Sequence, residues 1–117
     1  MSLQELKIPT TWEESLVILD RFMPRDELEY IRSSSDIEDM IVYHDGLGRM
    51  MRNYWGLWGD SELKKDLQAL GFTHPDDMSG FILYSYWNYR HSIPNDADWI
   101  KSNVEKYAEH WKIYGNN

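Results

Sequence analysis

The 117-residue chain has 20 acidic and 12 basic side chains, for a formal charge of −8, and contains no cysteine. The absence of cysteine excludes a disulfide framework, a thiolate nucleophile and a thiolate zinc site. Nucleic-acid binding requires clustered lysine and arginine to neutralise phosphates, and an anionic membrane would repel this chain. We therefore expect neither kind of partner.

The length is typical of a single domain, and we expect one domain to span residues 1–117. Six Trp, eight Tyr and three Phe supply unusually large side chains for its core. The segment from Met1 to Pro9 lacks the features of a secretory signal, and no apolar run approaches the roughly 20 residues that cross a bilayer. These features predict a cytoplasmic protein.

Two helices are predicted before residue 34. Thr11 and Glu14 have the spacing of a capping box, which begins the first helix. Its apolar residues recur at helical spacing: Trp12, Leu16, Leu19 and Met23. Pro24 suits the first turn of a shorter second helix, which ends at the serines of residues 33–35.

A third helix is predicted from a second capping box, formed by Ser35 and Glu38, to about Tyr54. Its first half has a stripe at helical spacing: Ile37, Met40, Ile41 and His44. Gly46 and Gly48 are expected to weaken or bend this helix, because glycine is a poor helix former.

Three further helices follow. Asp60 or Ser61 caps the fourth, which ends at Gly71, and Pro75 begins the fifth. The apolar stripe of the fifth helix consists of Met78, Ile82, Tyr86 and Tyr89. The last helix begins near Pro94, and its stripe consists of Trp99 or Ile100, Val104, Tyr107, Trp111 and Tyr114. Together these patterns predict an all-α fold, a single irregular or orthogonal bundle of five to six helices.

Four aromatic residues of the fifth helix lie too close in sequence to face one core: Tyr84, Tyr86, Trp87 and Tyr89. Some of them are therefore expected to reach the surface or a partner. Trp12, Trp99 and Trp111 fall on helical stripes and are predicted to be core residues.

The negative charge is concentrated between Glu13 and Asp39. This segment has nine acidic residues against Arg21, Arg25 and Arg32, a net charge of −6. One interpretation is a solvated face that keeps the protein soluble. The sharper interpretation is a docking surface for a basic partner.

Two stretches, His44–Trp58 and His74–Gly80, depart from ordinary amphipathic helix. In the first, residues four apart stack on one helical face, so His44, Gly48 and Arg52 form a row. The small glycine in that row lets another backbone or a ligand approach closely.

The second stretch begins a helix, where free N–H groups favour negative charge. Asp76 and Asp77 are well placed there for electrostatic reasons alone. Gly80, one turn into the helix, is costly unless another group packs tightly against it.

The motif from His44 to Trp58, His-x-Gly-Leu-Gly-x-x-x-Arg-Asn-x-Trp-Gly-Leu-Trp, is followed by His-Pro-Asp-Asp-Met-Ser-Gly-x-Ile-Leu. The two together resemble an uncharacterised family of small bacterial domains. They cover about a third of the chain, His44 to Leu83, and the Thr-Trp-Glu-Glu-Ser-Leu opening is also similar. The resemblance implies that the two polar motifs belong together, and it implies no activity.

One physical reason for this association is a buried polar clasp between the third and fifth helices. Arg52 would donate a bidentate pair of hydrogen bonds to Asp76 or Asp77. His44 or His74 would join that network, and Trp55 or Trp58 would cover it.

The same side chains could instead line a pocket for an anionic or planar ligand. The candidate binding residues are His44, Arg52, Asn53, Trp55, Trp58, His74, Asp76 and Asp77. Four of them are of metal-ligating type, but their spacing matches no metal motif, and we expect neither a metal nor a cofactor.

The motif residues support a catalytic interpretation less well than a binding one. His44 with Asp45 or Asp77 could act in general acid–base catalysis. Ser79 lacks a nucleophile elbow, and a serine near a helix start more often bonds the backbone.

The small size, the acidity, the surplus of aromatic residues and the absence of a clear catalytic constellation favour a non-catalytic interaction protein. A concrete version is an immunity or antitoxin-type protein that binds a basic protein partner, by analogy of size and charge. The alternative is a small-ligand-binding domain or enzyme that uses a polar pocket around Arg52, His44 and Asp77.

Overall fold

The computed structural model describes residues 6–114, without the side chain of Tyr114. Within this range the chain forms six α-helices and no strand, which confirms the all-α prediction. The helices are α1 Trp12–Phe22, α2 Arg25–Ser33, α3 Arg49–Tyr54, α4 Glu62–Leu70, α5 Pro75–Arg90 and α6 Ala97–Tyr114. The predicted absence of a secretory signal in Met1 to Pro9 falls mostly outside the described residues, as do the outer bounds of the predicted domain.

Most of the predicted helix ends are confirmed. Thr11 accepts the backbone N–H of Glu14 at 3.1 Å, and Ser61 accepts that of Lys64 at 3.1 Å. Gly71 ends α4 in the left-handed conformation. None of the helices in the described part of the chain is long and apolar enough to cross a membrane.

The predicted third α-helix is wrong in its first half. A 3-10 helix, Ile37–Tyr43, leads into a π-helical turn, His44–Gly48, and only then does α3 begin. Asp36 rather than Ser35 caps the 3-10 helix, since its carboxylate accepts the N–H of Glu38 at 3.0 Å.

The tighter winding of the 3-10 helix changes which residues are buried. With three residues per turn, residues three apart lie above one another. Met40 is therefore buried between half-buried Ile37 and Tyr43, while Ile41 points outward and is 63% exposed. The prediction that Ile41 continues the buried stripe is wrong for this reason.

Helix α5 is the centre of the fold. It contacts α1, α2, α3, the 3-10 helix and the π turn, so it is buried on several faces rather than along one stripe. Of its closely spaced aromatic residues, Tyr86 and Trp87 are buried, whereas Tyr89 is 42% exposed. The prediction that some of these rings must reach the surface is confirmed, and the placement of Tyr89 on the buried stripe is wrong.

Helix α6 packs across α4 and the start of α5. The side chain of Val104 lies against Gly71, and the hydroxyl of Tyr107 lies against Gly80. Trp12 is buried as predicted, while Trp99 and Trp111 are half-buried on α6. The side chain of Tyr114, the last residue of the predicted stripe, lies outside the described residues.

The acidic segment is partly bound to the rest of the fold. Asp20 accepts hydrogen bonds from the hydroxyl of Tyr86 and from Arg90, both at 2.9 Å. Glu38 accepts the hydroxyl of Tyr84 at 2.9 Å and pairs with a lysine of α6 at 3.3 Å. Several of the nine acidic residues therefore have structural roles, in addition to any role at the surface.

Candidate functional site

Arg52 is the centre of the polar cluster that joins α3 to α5. Its Nη1 donates to Oγ of Ser79 at 2.8 Å, and its Nη2 donates to the backbone carbonyl of His44 at 3.3 Å. Its Nε lies 3.4 Å from Oδ1 of Asp76. Because the Arg52 side chain is only 8% exposed, these contacts replace the water that a guanidinium group would otherwise bind.

This arrangement is a clasp, but its partners differ from those expected. Arg52 makes one ionic contact with Asp76 rather than a bidentate pair, and Ser79 takes another of its donors. His44 contributes its carbonyl and not its imidazole.

The expected row of His44, Gly48 and Arg52 is present, but the space at Gly48 is filled by the side chain of Arg52 rather than by a ligand or another backbone. A Cβ atom on Gly48 would lie 3.0 Å from Nη1 of Arg52 and 3.3 Å from the carbonyl oxygen of Tyr43. The glycine therefore makes room for the guanidinium group of the protein itself.

His74 fixes the start of α5. Its Nδ1 accepts the backbone N–H of Asp76 at 3.0 Å, so the ring caps the helix. The imidazole stacks on Trp111 at a centroid distance of 4.8 Å and meets the edge of Trp58 at 5.7 Å. Trp58 itself is 56% exposed.

Asp77 lies beside this clasp and is 5% exposed. Its Oδ2 accepts the indole N–H of Trp111 at 2.7 Å. Burial raises the pKa of the Asp77 carboxyl, while the hydrogen bond from Trp111 acts in the opposite direction.

The structure brings five of the eight candidate binding residues into one region: His44, Arg52, His74, Asp76 and Asp77. Trp58 borders this region through its contact with His74. Trp55 is instead fully buried in the hydrophobic core, and Asn53 is exposed.

A cleft of about 170 Å³ opens where the 3-10 helix, α5 and α6 meet. It is lined by acidic and imidazole groups, tyrosine rings and aliphatic side chains: Asp76, Asp77, His44, Tyr84, Tyr107, Met40, Ile41 and Leu83, together with Gly80. Arg52 is not among its lining residues.

The sequence pointed to some members of this site and missed others. Gly80 indicated that a group packs closely on α5, and that group is Tyr107. Trp111, Tyr84 and Ile41 were noted in the sequence but not assigned to the site, because their place in it depends on how α6 and the 3-10 helix pack.

The hydroxyl group of Ser79 takes part in the clasp. The hydroxyl of Ser79 is buried, donates to the carbonyl of Asp76 at 3.1 Å and accepts from Arg52. Among residues 6–114 no three His, Asp or Glu side chains are arranged to hold a metal ion. The cleft is lined by carboxylates, an imidazole and tyrosine rings beside three aliphatic side chains.

The fold and site define the protein as an all-α domain with a polar clasp and an acidic cleft. The chain belongs to the family described as Domain of unknown function (DUF6794), whose model matches residues 8–90. No curated protein and no solved structure matches the chain. The resemblance to an uncharacterised family is thereby confirmed, whereas the motifs and the bacterial origin attached to it remain predictions.

The matched residues include α1 to α5 and therefore the whole Arg52 clasp. Helix α6, with Tyr107 and Trp111, lies beyond them. The cleft thus combines residues from the family-matched part of the chain with Tyr107 from outside it, and Trp111 bonds Asp77 beside it.

Proposed function

We propose that this domain is a non-catalytic interaction protein that binds a basic protein partner, in the manner of an immunity or antitoxin-type protein. The observation that carries the proposal is the pair Ile41 and Val42, which are 63% and 60% exposed side by side on the 3-10 helix. We call this pair, with the clefts on its two sides, the 3-10 face.

The apolar part of the 3-10 face is larger than two side chains. Val42 borders a shallow depression that also includes Tyr30, itself 44% exposed, and Tyr43. Single exposed apolar residues are normal on a protein surface, whereas contiguous exposed apolar patches mark interaction sites.

Carboxylates lie on both sides of this pair. Asp26 and Glu27 line the depression beside Val42, and Asp76 and Asp77 line the cleft beside Ile41. An apolar ridge between two acidic clefts is complementary to a partner with basic and apolar side chains. Such complementarity favours fast, specific association.

The local backbone is consistent with this role. A 3-10 helix that runs into a π turn is an uncommon helical path, and π turns occur frequently at functional sites. Here the 3-10 winding is what exposes Ile41.

The alternative is a small-ligand site or enzyme that uses Arg52, His44 and Asp77. It requires Arg52 to be open to a ligand, but its three nitrogens contact Asp76, Ser79 and the carbonyl of His44. In addition, a cleft of about 170 Å³ is smaller than the roughly 300–1,000 Å³ of typical ligand pockets. Both observations favour the interaction protein.

The experiment is affinity capture from bacterial lysate with the wild-type domain and the double variant Ile41→Ser/Val42→Ser. The matched control is Val17→Ser/Ile113→Ser, which changes two exposed aliphatic residues on α1 and α6. We expect a basic protein to be retained by the wild type and the control and to be lost with the double variant. Calorimetric titration of the purified partner should show similar affinities for the wild type and the control and a weaker affinity for the double variant.

Two results would overturn the proposal. One is that no partner is retained at low or physiological salt. The other is that the partner binds the double variant as tightly as the wild type.

A further inference from the structure

The cleft beside Ile41 has the size of one side chain. Its volume is about 170 Å³, and cavities of about 150 Å³ are known to hold a molecule as large as benzene. A long aliphatic side chain with a compact head group is of this order, whereas a nucleotide or another large cofactor is not.

The lining supplies two kinds of contact. Met40 and Leu83 are buried aliphatic walls against which a chain of methylene groups would pack. The carboxylate of Asp77 and the rings of Tyr84 and Tyr107 favour a positively charged head group, whereas Asp76 already pairs with Arg52.

The aromatic wall already has one cation beside it. Nζ of Lys106 lies 5.6 Å from the centroid of the Tyr84 ring and 3.3 Å from Oε1 of Glu38. A lysine ammonium held by a tyrosine ring and a carboxylate is the kind of contact that the cleft offers to a cation from outside. Lys106 pairs with Glu38 and is not among the residues that line the cleft.

The shape of the 3-10 face connects this cleft to the partner. Ile41 is both a lining residue of the cleft and part of the exposed apolar pair. A partner side chain that enters the cleft would therefore leave its own backbone against Ile41 and Val42.

We infer that the cleft between the 3-10 helix, α5 and α6 accepts one lysine or arginine side chain of the basic partner. This inference rests on the proposed function, since it names the group through which that partner is recognised. Asp77 attracts the head group, and Met40 and Leu83 contact its methylene groups.

The test uses small cations in place of the partner side chain. n-Butylguanidinium and n-butylammonium are titrated into the 117-residue protein, with n-butanol and butyrate as neutral and anionic controls. The reporters are two NMR signals: the indole N–H of Trp111, which is bonded to Asp77, and the backbone amide of Gly80, which lines the cleft. We expect saturable shifts with the two cations only.

Two variants locate the site. Asp77→Asn keeps the size of the side chain and an oxygen that can accept from Trp111, and it should weaken cation binding about tenfold or more. Tyr84→Leu removes one ring from the wall and should weaken binding by roughly two- to fivefold. Asp60→Asn is the control, because it removes the same charge from an 87% exposed side chain elsewhere.

A peptide distinguishes a partner side chain from a free amine. The tripeptide acetyl-Leu-Arg-Leu-amide should bind more tightly than n-butylguanidinium, and Ile41→Ser should remove this advantage. A peptide that binds no better than the free cation would overturn the assignment to a partner side chain. Absence of saturable cation shifts, or equal binding by Asp77→Asn, would overturn the cation site itself.

Failure of this inference can be told apart from failure of the proposed function. If a basic partner depends on Ile41 and Val42 but binds Asp77→Asn unchanged, the proposed function stands and the cleft assignment fails. If no partner is captured, the proposed function fails, and the titration still decides whether the cleft binds a cation.

Discussion

The hydroxyl oxygen of Tyr107 lies only 2.5 Å from the position that a Cβ atom on Gly80 would occupy. This close approach brings α6 onto the first turns of α5 and forms one wall of the cleft. Gly80 is unfavourable within a helix on its own, so its presence is explained by the packing of Tyr107.

Gly80→Ala should displace Tyr107. Overpacking lowers the free energy of unfolding by about 1–3 kcal/mol, and the better helix propensity of alanine offsets about 1 kcal/mol of this loss. We therefore expect a net loss in the free energy of unfolding on the order of 1 kcal/mol, measured by urea denaturation. Gly46→Ala is the control, since no atom lies within 4 Å of its added Cβ, and it should cause no loss. Equal stability of the two variants would contradict the packing argument.

Arg52→Ala should strongly destabilise the domain. It leaves Ser79 and the carbonyl of His44 without their donor and removes the charge beside Asp76. Because the Asp76 side chain is 43% exposed, the loss should lie near the low end for buried ion pairs, about 3 kcal/mol.

The control for this change is Arg49→Ala, which removes an exposed arginine from the same helix and should shift stability by less than about 0.5 kcal/mol. Thermal melting of both variants is the measurement. A melting temperature of Arg52→Ala close to that of the parent would show that the clasp does not hold α3 to α5.

The buried Asp77 carboxyl should make the free energy of unfolding depend on pH. Burial raises its pKa in the folded protein above the ordinary value of 3.8, so the folded state binds more protons than the unfolded state between these two values. This contribution to stability is fully present below about pH 3.8 and is lost as the pH rises through the folded pKa.

Asp77→Asn removes this dependence. Relative to the parent, the variant should therefore gain stability as the pH rises from 3.5 to 7, as measured by denaturant unfolding at several pH values. Asp60→Asn controls for the change in net charge. A stability difference that is constant with pH, or that reverses in sign, would contradict the prediction.

Substitution of Asp20 tests whether the acidic segment has a structural role. It is the acceptor for the hydroxyl of Tyr86, a fully buried residue, and it pairs with Arg90. Asp20→Ala should cost about 2 kcal/mol, because a buried hydroxyl loses its partner.

Glu13→Ala on the same helix removes an exposed carboxylate and should change the free energy of unfolding by less than about 0.5 kcal/mol. Calorimetric melting of the two variants is the comparison. Similar melting temperatures would mean that Asp20, like Glu13, contributes charge only.

Much of the helix layout could be predicted because it depends on neighbours in sequence. Thr11, Ser61 and His74 bond to backbone groups two or three residues away, and these contacts form in any helix that begins there. The 3-10 helix was missed because its apolar spacing of three is similar to that of an α-helix, and the choice between them depends on packing against α5.

The association of the two polar motifs could be predicted, but the partners within the clasp could not. An arginine and two aspartates close to buried helices imply an ionic contact. Whether Asp76 or Asp77 takes Arg52 depends on Trp111, which contributes its indole N–H to Asp77 from more than 30 residues away. Such long-range choices depend on side-chain directions that no local pattern specifies.

The sequence by itself determined an acidic, all-α domain and the stretches that contain its polar specificity, since charge, helical period and capping are local properties. The tertiary structure alone decided that Arg52 is enclosed by the protein, that Ile41 is exposed, and that Asp76, Asp77, Tyr84 and Tyr107 share one cleft. These outcomes arise because each residue has competing neighbours from three elements, and packing selects among them.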